Sequence, residues 1–108
     1  MFKGMGDMAG MLKQAQKMQR EMGRVQAELK ERVVEGTSGG GAVKAFVNGQ
    51  QELVCLKIDP AAVDPEDVSM LEDLVTTAVQ NGLKASRELM QAEISKVTGG
   101  MGIPGLGL

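Results

Sequence analysis

The chain has 108 residues, enough for one domain with a modest core, and 43% hydrophobic with 24% charged residues is ordinary for a soluble protein. One cysteine excludes an intrachain disulfide, and the lack of histidine excludes a Cys-His nucleophile pair and argues against a zinc site. The net charge of −2 conceals an uneven distribution: residues 1–30 hold six Lys or Arg against three acids, and residues 52–73 hold seven acids against one lysine. Because local patches decide binding, the total charge does not exclude a polyanionic partner.

An apolar seam runs through the first thirty residues at alternating steps of three and four. Its members are Met8, Met11, Ala15, Met18, Met22, Val25 and Leu29. This spacing predicts a long helix that packs side by side with another helix or subunit. We expect the helix to begin at Asp7, a good N-cap residue, and to end near Glu31, with residues 1–6 flexible.

A two-residue period follows and predicts three strands. The first covers 32–38 and ends at the glycine run 39–41, which fits a tight hairpin turn because neither the Walker pattern nor the dinucleotide fingerprint is present. The second strand, 42–47, places Val43, Ala45 and Val47 on one face, and Asn48-Gly49 predicts a type I′ turn after it.

The third strand covers 52–58. Its alternation predicts that Val54, Leu56 and Ile58 point inward. Cys55 is interpreted as a small packing residue.

A second long helix is predicted from about Val68 to Val97. Asp64 is the expected cap, followed by Pro65 at the first helical position. Gly82 lies in the middle of a wide apolar stripe, where glycine costs about 1 kcal/mol, so a close approach by another backbone is expected. Residues 99–108 read as a flexible, Gly-rich apolar tail. The prediction is therefore a single α+β domain, 1–108, in the order α-β-β-β-α.

A line of cations lies behind the seam of the first helix, at Lys13, Lys17, Arg20 and Arg24. From spacing alone, a solvated helix face is the favoured interpretation. A polyanion is the alternative, because no acid lies on this line and a second polar line on the other helix includes Lys84 and Arg87. Only two aromatic residues are present, which argues for duplex backbone contacts over base stacking.

The remaining patterns predict no enzyme and no bound group. No nucleophile, base or cofactor loop can be assembled, and the acids near the second helix are largely accounted for as helix N-terminal residues. We therefore expect no catalytic residue, no metal, no cofactor and no small-molecule substrate. No stretch reaches the roughly 18 apolar residues of a membrane span, and a cytoplasmic location is expected.

Several segments in this order resemble the YbaB/EbfC family of bacterial nucleoid-associated proteins. They are residues 11–19 (MLKQAQKMQ), Gly39-Gly40-Gly41 with Val43, Asn48-Gly49, Ile58-Asp59-Pro60, residues 71–75 (LEDLV), and the Thr98-Gly99-Gly100 and Ile103-Pro104-Gly105 tail. The resemblance covers essentially the whole chain. It implies a homodimer with helices projecting like tweezers, which binds double-stranded DNA in the nucleoid and alters its conformation. Roles in nucleoid organisation, gene expression and DNA protection are implied as well.

The resemblance also turns the cationic lines into candidate DNA-binding residues. These are Lys13, Lys17, Arg20, Arg24, Lys84 and Arg87. The residues expected to form dimer or helix packing are Met11, Met18, Met22, Val25, Leu71, Leu74 and Gly82. The alternative is a dimeric protein-interaction module that docks partners through its Met-rich and apolar helix faces, with the basic line serving solubility.

Overall fold

The computed structural model describes the backbone of residues 2–99 and the side chains of residues 8–99, with the main elements in the predicted order α-β-β-β-α. Helix α1 spans Phe2–Glu31, so Asp7 lies within the helix and does not cap it. Residues 2–6 lack proline, and glycine costs only about 1 kcal/mol in a helix, so the helix can extend through them. The flexibility of residues 1–6 stays a prediction, and residues 100–108 of the expected tail lie outside the described residues.

Three antiparallel strands form one sheet in the order β1-β2-β3. They span Val33–Ser38, Val43–Asn48 and Leu53–Ile58. The predicted hairpin turn between the first two is confirmed as a 3-10 turn at Gly39–Gly41, where all three glycines have positive φ (59°, 68° and 97°). Residues with a Cβ rarely adopt that conformation, which explains the run of glycines.

The connection between β2 and β3 is not the predicted type I′ turn. Such a turn needs positive φ at both central residues, whereas the positive φ in this loop belongs to Gln51 (65°). Asn48 is only 6% exposed, and its Oδ1 accepts hydrogen bonds from the N–H groups of Gln50 and Glu52, both at 3.0 Å. The buried asparagine thus organises a wider loop from within instead of forming the tip of a tight one.

The inner face of the sheet carries the core. Val43, Ala45 and Val47 are fully buried, as predicted, and the half-buried Leu56 and Ile58 pack against this cluster. The prediction for Val54 was wrong, since its side chain is 56% exposed. Phe46 pairs with Cys55 and Val47 with Leu53, so a bulge leaves Val54 without a partner on β2 and removes it from the alternation.

Helix α2 spans Val68–Thr98 and lies across the inner face of the sheet. Its cap is Asp67, whose carboxylate accepts the N–H of Met70 at 3.2 Å, and not the predicted Asp64. Asp64 accepts the N–H of Glu66 at 2.9 Å and so stabilises a turn before the helix, which leaves Pro65 outside it. Both aspartates accept hydrogen bonds from nearby backbone N–H groups. Sequence spacing alone did not show which of them caps the helix and which stabilises the turn before it.

The close backbone approach predicted at Gly82 is confirmed. A Cβ on Gly82 would lie 2.8 Å from Val47 Cγ2 and 3.5 Å from the backbone nitrogen of Gly36. Gly36 on β1 and Gly82 on α2 are both buried where the helix crosses the strands. The lack of a side chain at these two glycines therefore allows the backbone of α2 to contact the backbone of the sheet.

Among residues 8–31, helix α1 is packed only along its C-terminal half. Val25 and Leu29 are buried, whereas Met8, Met11 and Leu12 are exposed by 71%, 69% and 61%. Its end is anchored because the N–H of Gly49 donates to the carbonyls of Leu29 (2.7 Å) and Arg32 (2.9 Å). The predicted seam is thus half covered within the chain and half uncovered.

Candidate nucleic-acid interface

The basic line on α1 divides into three unpaired cations and one paired one. Lys13, Lys17 and Arg20 are exposed and form no salt bridge with any side chain among residues 8–99. Their spacing of four and three residues aligns them on one side of the helix, over about 10 Å at a rise of about 1.5 Å per residue. We call these three residues the cationic stripe. Its charge is available to a ligand.

Arg24, the fourth predicted member of the line, is held by two acids. Its guanidinium donates to Glu21 Oε2 and Glu28 Oε1, both at 2.8 Å. The hydrogen bond with Glu21 is the main cause of a raised pKa at Arg24, and the same bond lowers the pKa of Glu21. Both partners of each bridge are substantially exposed to solvent, so the bridges stabilise the helix little but offset the charge of Arg24.

Lys84 and Arg87 lie on α2, away from the cationic stripe in sequence and on a different helix. Both are exposed, on the side of α2 opposite the buried Ala78, Gly82 and Ser86. No hydrogen bond or salt bridge within residues 8–99 connects them to the stripe. They form a second, separate pair of surface cations.

Most of the residues expected in dimer or helix packing are buried or half-buried within the single chain. Val25 and Gly82 are buried. Met18, Met22, Leu71 and Leu74 are half-buried. Met11 alone of the set is largely exposed. The surface left for another molecule therefore includes Met11 but little of the rest.

The outer face of the sheet carries groups that sequence reasoning did not select. Lys44 and Lys57 occupy directly opposed positions on β2 and β3. Lys44 Nζ lies 3.9 Å from Glu35 Oε1, and Lys57 Nζ lies 5.9 Å from the centre of the Phe46 ring. The inward alternation of Val43, Ala45 and Val47 was the available signal, because it requires their neighbours to point outward.

Cys55 lies on the same outer face, opposite Phe46, and is exposed. The interpretation of Cys55 as a packing residue was wrong for the single chain. Val33, Leu53 and Val54 add exposed apolar side chains at both edges of the sheet. The outer face and the sheet edges therefore combine charged groups with exposed apolar side chains, and exposed apolar side chains in a cluster mark a surface that can be covered by another molecule.

Acidic residues do not assemble into a metal site within the described part of the chain. No group of three or more His, Cys, Asp or Glu among residues 8–99 is arranged to hold a metal ion. Asp67 and Asp73 line an open groove beside the glycine turn together with hydroxyl and amide groups of Thr37, Thr77 and Asn81. Asn81 already donates to the Thr37 carbonyl at 2.9 Å.

A groove between the two helices lies beside the cationic stripe. It is lined by Gln14, Lys17, Met18, Glu21, Lys96 and Val97. Nearby, Glu93 accepts hydrogen bonds from Lys96 (3.1 Å) and Arg32 (2.9 Å), and the bond from Lys96 is the main cause of its lowered pKa. This ion cluster ties the start of β1 to the C-terminal end of α2. No helix among residues 2–99 is long and apolar enough to cross a membrane.

Comparisons with known proteins agree with this architecture. A solved structure of the uncharacterized protein HP0035 from Helicobacter pylori superposes with a TM-score of 0.62 at 31% identity, covering 75% of this chain and 82% of that one. A nucleoid-associated protein of Moorella thermoacetica is 56% identical over 102 residues, which is 94% of this chain and 98% of the relative. Nucleoid-associated protein TTE0040 of Caldanaerobacter subterraneus is 50% identical over 105 residues, covering 97% and 95% of the two chains.

The family comparison gives the same answer over most of the length. Residues 5–101 match the model of the YbaB/EbfC DNA-binding family. This is a family of DNA-binding proteins and not of enzymes, in agreement with the prediction made from the lack of a nucleophile, base or cofactor loop. The family resemblance inferred from the sequence motifs is thereby confirmed, and the chain belongs to the YbaB/EbfC DNA-binding family.

Proposed function

We propose that this protein binds double-stranded DNA as a homodimer in the bacterial nucleoid, and that the cationic stripe on α1 contacts the phosphates. The observation that carries the proposal is the alignment of Lys13, Lys17 and Arg20 without a salt-bridge partner among residues 8–99. Family membership and relatives named nucleoid-associated proteins support DNA as the partner and the nucleoid as the location. Altered DNA conformation, with effects on nucleoid organisation, gene expression and DNA protection, is part of the proposal on the strength of family membership.

The length of the stripe suits a duplex. Duplex DNA carries one negative charge per about 1.7 Å of its axis, so the roughly 10 Å stripe faces about six phosphates. Lysine and arginine on one helix face can follow a phosphate backbone without reading bases. Lys84 and Arg87 add a second pair of exposed cations on α2. Binding of this kind is insensitive to sequence and sensitive to salt.

The homodimer is supported by the exposed apolar side chains of strand β3. Strand β3 is an edge strand that exposes Leu53, Val54 and Cys55, and such edges are normally covered or charged. We place the second copy on the outer face of the sheet, with the half-buried Phe46 at its centre. A dimer would then present two copies of the cationic stripe on two projecting helices, which matches the expected tweezer form.

Anisotropy titrations of unrelated labelled duplexes test the DNA assignment. The double variant Lys13→Ala/Lys17→Ala is compared with Lys30→Ala/Lys96→Ala, which changes the net charge equally at exposed helix positions off the stripe and off the outer sheet face. We expect the first to weaken binding at least tenfold and the second to weaken it no more than about threefold. Equal losses would show that total charge, and not the stripe, controls binding.

Sedimentation at low concentration tests the homodimer. The full chain is expected to sediment as a dimer, and Val54→Lys, which places a charge among the exposed apolar residues of edge strand β3, is expected to sediment as a monomer. A folded monomer of the unaltered chain would refute the dimer.

The exposed methionines at the start of α1 favour a second candidate function, a protein-interaction module. Met8, Met11 and Leu12 form an uncovered apolar surface of the kind that docks partner helices. Pull-down with the full chain from lysate treated with nuclease distinguishes the two functions. Partners retained after nuclease treatment support the module, and partners lost with the DNA support the nucleoid-binding function.

A further inference from the structure

The two sides of α1 that flank the cationic stripe differ in charge. At a turn of about 100° per residue, Glu21 and Glu28 fall on one side of the stripe, where their carboxylates bind Arg24 at 2.8 Å. The other side has no charged side chain between residues 9 and 27. Its members are Ala9, Leu12, Gln16, Gln19, Gly23 and Ala27. We call the first the acid side and the second the glutamine side.

The end of α2 lies against the acid side of α1. The groove between the two helices is lined by Gln14 and Glu21 of α1 and by Lys96 and Val97 of α2. Glu21 is half-buried there, and the Lys96 ammonium already donates to Glu93 at 3.1 Å. A duplex that approached the stripe from this side would meet the carboxylates of the acid side and the end of a second helix.

The glutamine side is open to solvent. All of its members are exposed, and a Cβ added at Gly23 would meet nothing within 4 Å. Gln16 and Gln19 line an open groove together with Arg20 of the cationic stripe. Neither side-chain amide forms a hydrogen bond with any residue among 8–99. Two uncommitted amides thus lie beside an unpaired guanidinium.

We propose that duplex DNA approaches α1 from the glutamine side, and that the amides of Gln16 and Gln19 donate hydrogen bonds to phosphate oxygens. The inference rests on the proposed function of the cationic stripe and adds a direction of approach and two uncharged contacts. Gln16 lies three residues after Lys13 and four before Arg20, so these side chains are neighbours on the helix surface. Glutamine is among the side chains that contact the DNA backbone. The acid side then faces away from the duplex.

The two glutamines should act differently from the cations of the stripe. A lysine or arginine that binds a phosphate releases a counterion, which gives a slope of about −0.9 per contact for log affinity against log salt concentration. An uncharged amide releases none. Loss of a glutamine contact should therefore lower the affinity at every salt concentration and leave the slope unchanged.

Gln16→Ala and Gln14→Ala form a matched pair of variants of the full chain. Both remove an exposed glutamine from α1 and both introduce a good helix former, but Gln16 lies on the glutamine side and Gln14 on the acid side. In anisotropy titrations of a labelled duplex at several salt concentrations, we expect Gln16→Ala to weaken binding at least about threefold with an unchanged slope. Gln14→Ala should leave the affinity nearly unchanged. Equal losses, or a larger loss in Gln14→Ala, would overturn the proposal.

Gln16→Lys and Gln14→Lys give the opposite readout on the same two sides. A lysine at position 16 should raise the affinity and steepen the slope by about 0.9 for each protomer, because it adds a phosphate contact. A lysine at position 14 should change the slope much less. Identical slopes in the two variants would show that DNA has no preferred side of α1.

The triple variant Lys13→Ala/Lys17→Ala/Arg20→Ala separates this inference from the function on which it rests. If this variant binds DNA as the unaltered chain does, the assignment of the stripe fails and the direction of approach fails with it. If the triple variant binds weakly while the substitutions at positions 14 and 16 have equal effects, only the direction of approach fails.

Discussion

Gly36 on β1 and Gly82 on α2 meet backbone to backbone, so that a Cβ on Gly36 would lie 2.6 Å from the Gly82 Cα. No side chain can be accommodated there without moving α2 off the sheet. We expect Gly36→Ala to lower the free energy of unfolding by about 3 kcal/mol or more, at the upper end of overpacking costs. Thermal unfolding followed by circular dichroism measures the change.

Gly23→Ala is the matched control for Gly36→Ala. A Cβ at Gly23 meets nothing within 4 Å on the exposed side of α1. Alanine there should raise the free energy of unfolding by up to about 1 kcal/mol, through helix propensity alone. Equal effects of the two substitutions would contradict the backbone contact.

Ser86 joins α2 to the β2–β3 loop. Its hydroxyl donates to the Asn48 carbonyl at 2.6 Å and accepts the N–H of Gln51 at 3.1 Å, and the side chain is fully buried. Ser86→Ala leaves both backbone groups without this partner, so we expect a loss of about 1–3 kcal/mol in the free energy of unfolding. Denaturant unfolding measures this loss. Ser95→Ala is the control, because Ser95 is exposed and its substitution is expected to change the free energy of unfolding little. Equal losses in the two variants would contradict the role of Ser86.

Release of Arg24 should extend the cationic stripe. In Glu21→Gln/Glu28→Gln the guanidinium loses both carboxylate partners and becomes available to a phosphate. We expect duplex affinity to rise several-fold, more than in Glu72→Gln/Glu88→Gln, which changes the net charge equally on α2. Equal gains in the two variants would indicate a general charge effect.

The ion cluster of Glu93 predicts a pH-dependent contribution to stability. Hydrogen bonds from Lys96 and then Arg32 lower the pKa of Glu93 from its ordinary value of 4.5. Because the pKa is lower in the folded chain than in the unfolded one, the stabilisation is complete above pH 4.5 and is lost as the pH falls through the folded value. The difference in Tm between the unaltered chain and Glu93→Gln should therefore be present at pH 7 and shrink as the pH falls below 4.5. A difference that stays constant as the pH falls would contradict this origin.

The order of elements and the core face could be predicted because they depend on local periodicity. Alternation placed Val43, Ala45 and Val47 inward, and the glycine in the middle of the α2 stripe indicated the contact at Gly82. Both signals are carried by residues within one element. They are independent of how distant segments meet.

The features that the sequence did not predict correctly depend on partners far away in the chain, or on neighbouring residues that could each play the same role. The loop after Asn48 depends on a hydrogen bond from Ser86, 38 residues away, which no local pattern indicates. Val54 is displaced by a bulge, which changes the face of one residue without changing the composition of the strand. The pairing of Arg24 with acids three and four residues away was not noted from the spacing of the basic line, and its role in DNA binding stays a prediction.

The salt dependence of duplex binding tests the central claim most directly. If Lys13, Lys17 and Arg20 of both protomers contact phosphates, roughly six contacts give a slope of about −5 for the logarithm of the binding constant against the logarithm of salt concentration. Lys13→Ala/Lys17→Ala/Arg20→Ala should remove most of that slope while sedimentation shows an intact dimer. A triple variant that keeps the slope of the unaltered chain would contradict the assignment of the stripe to DNA.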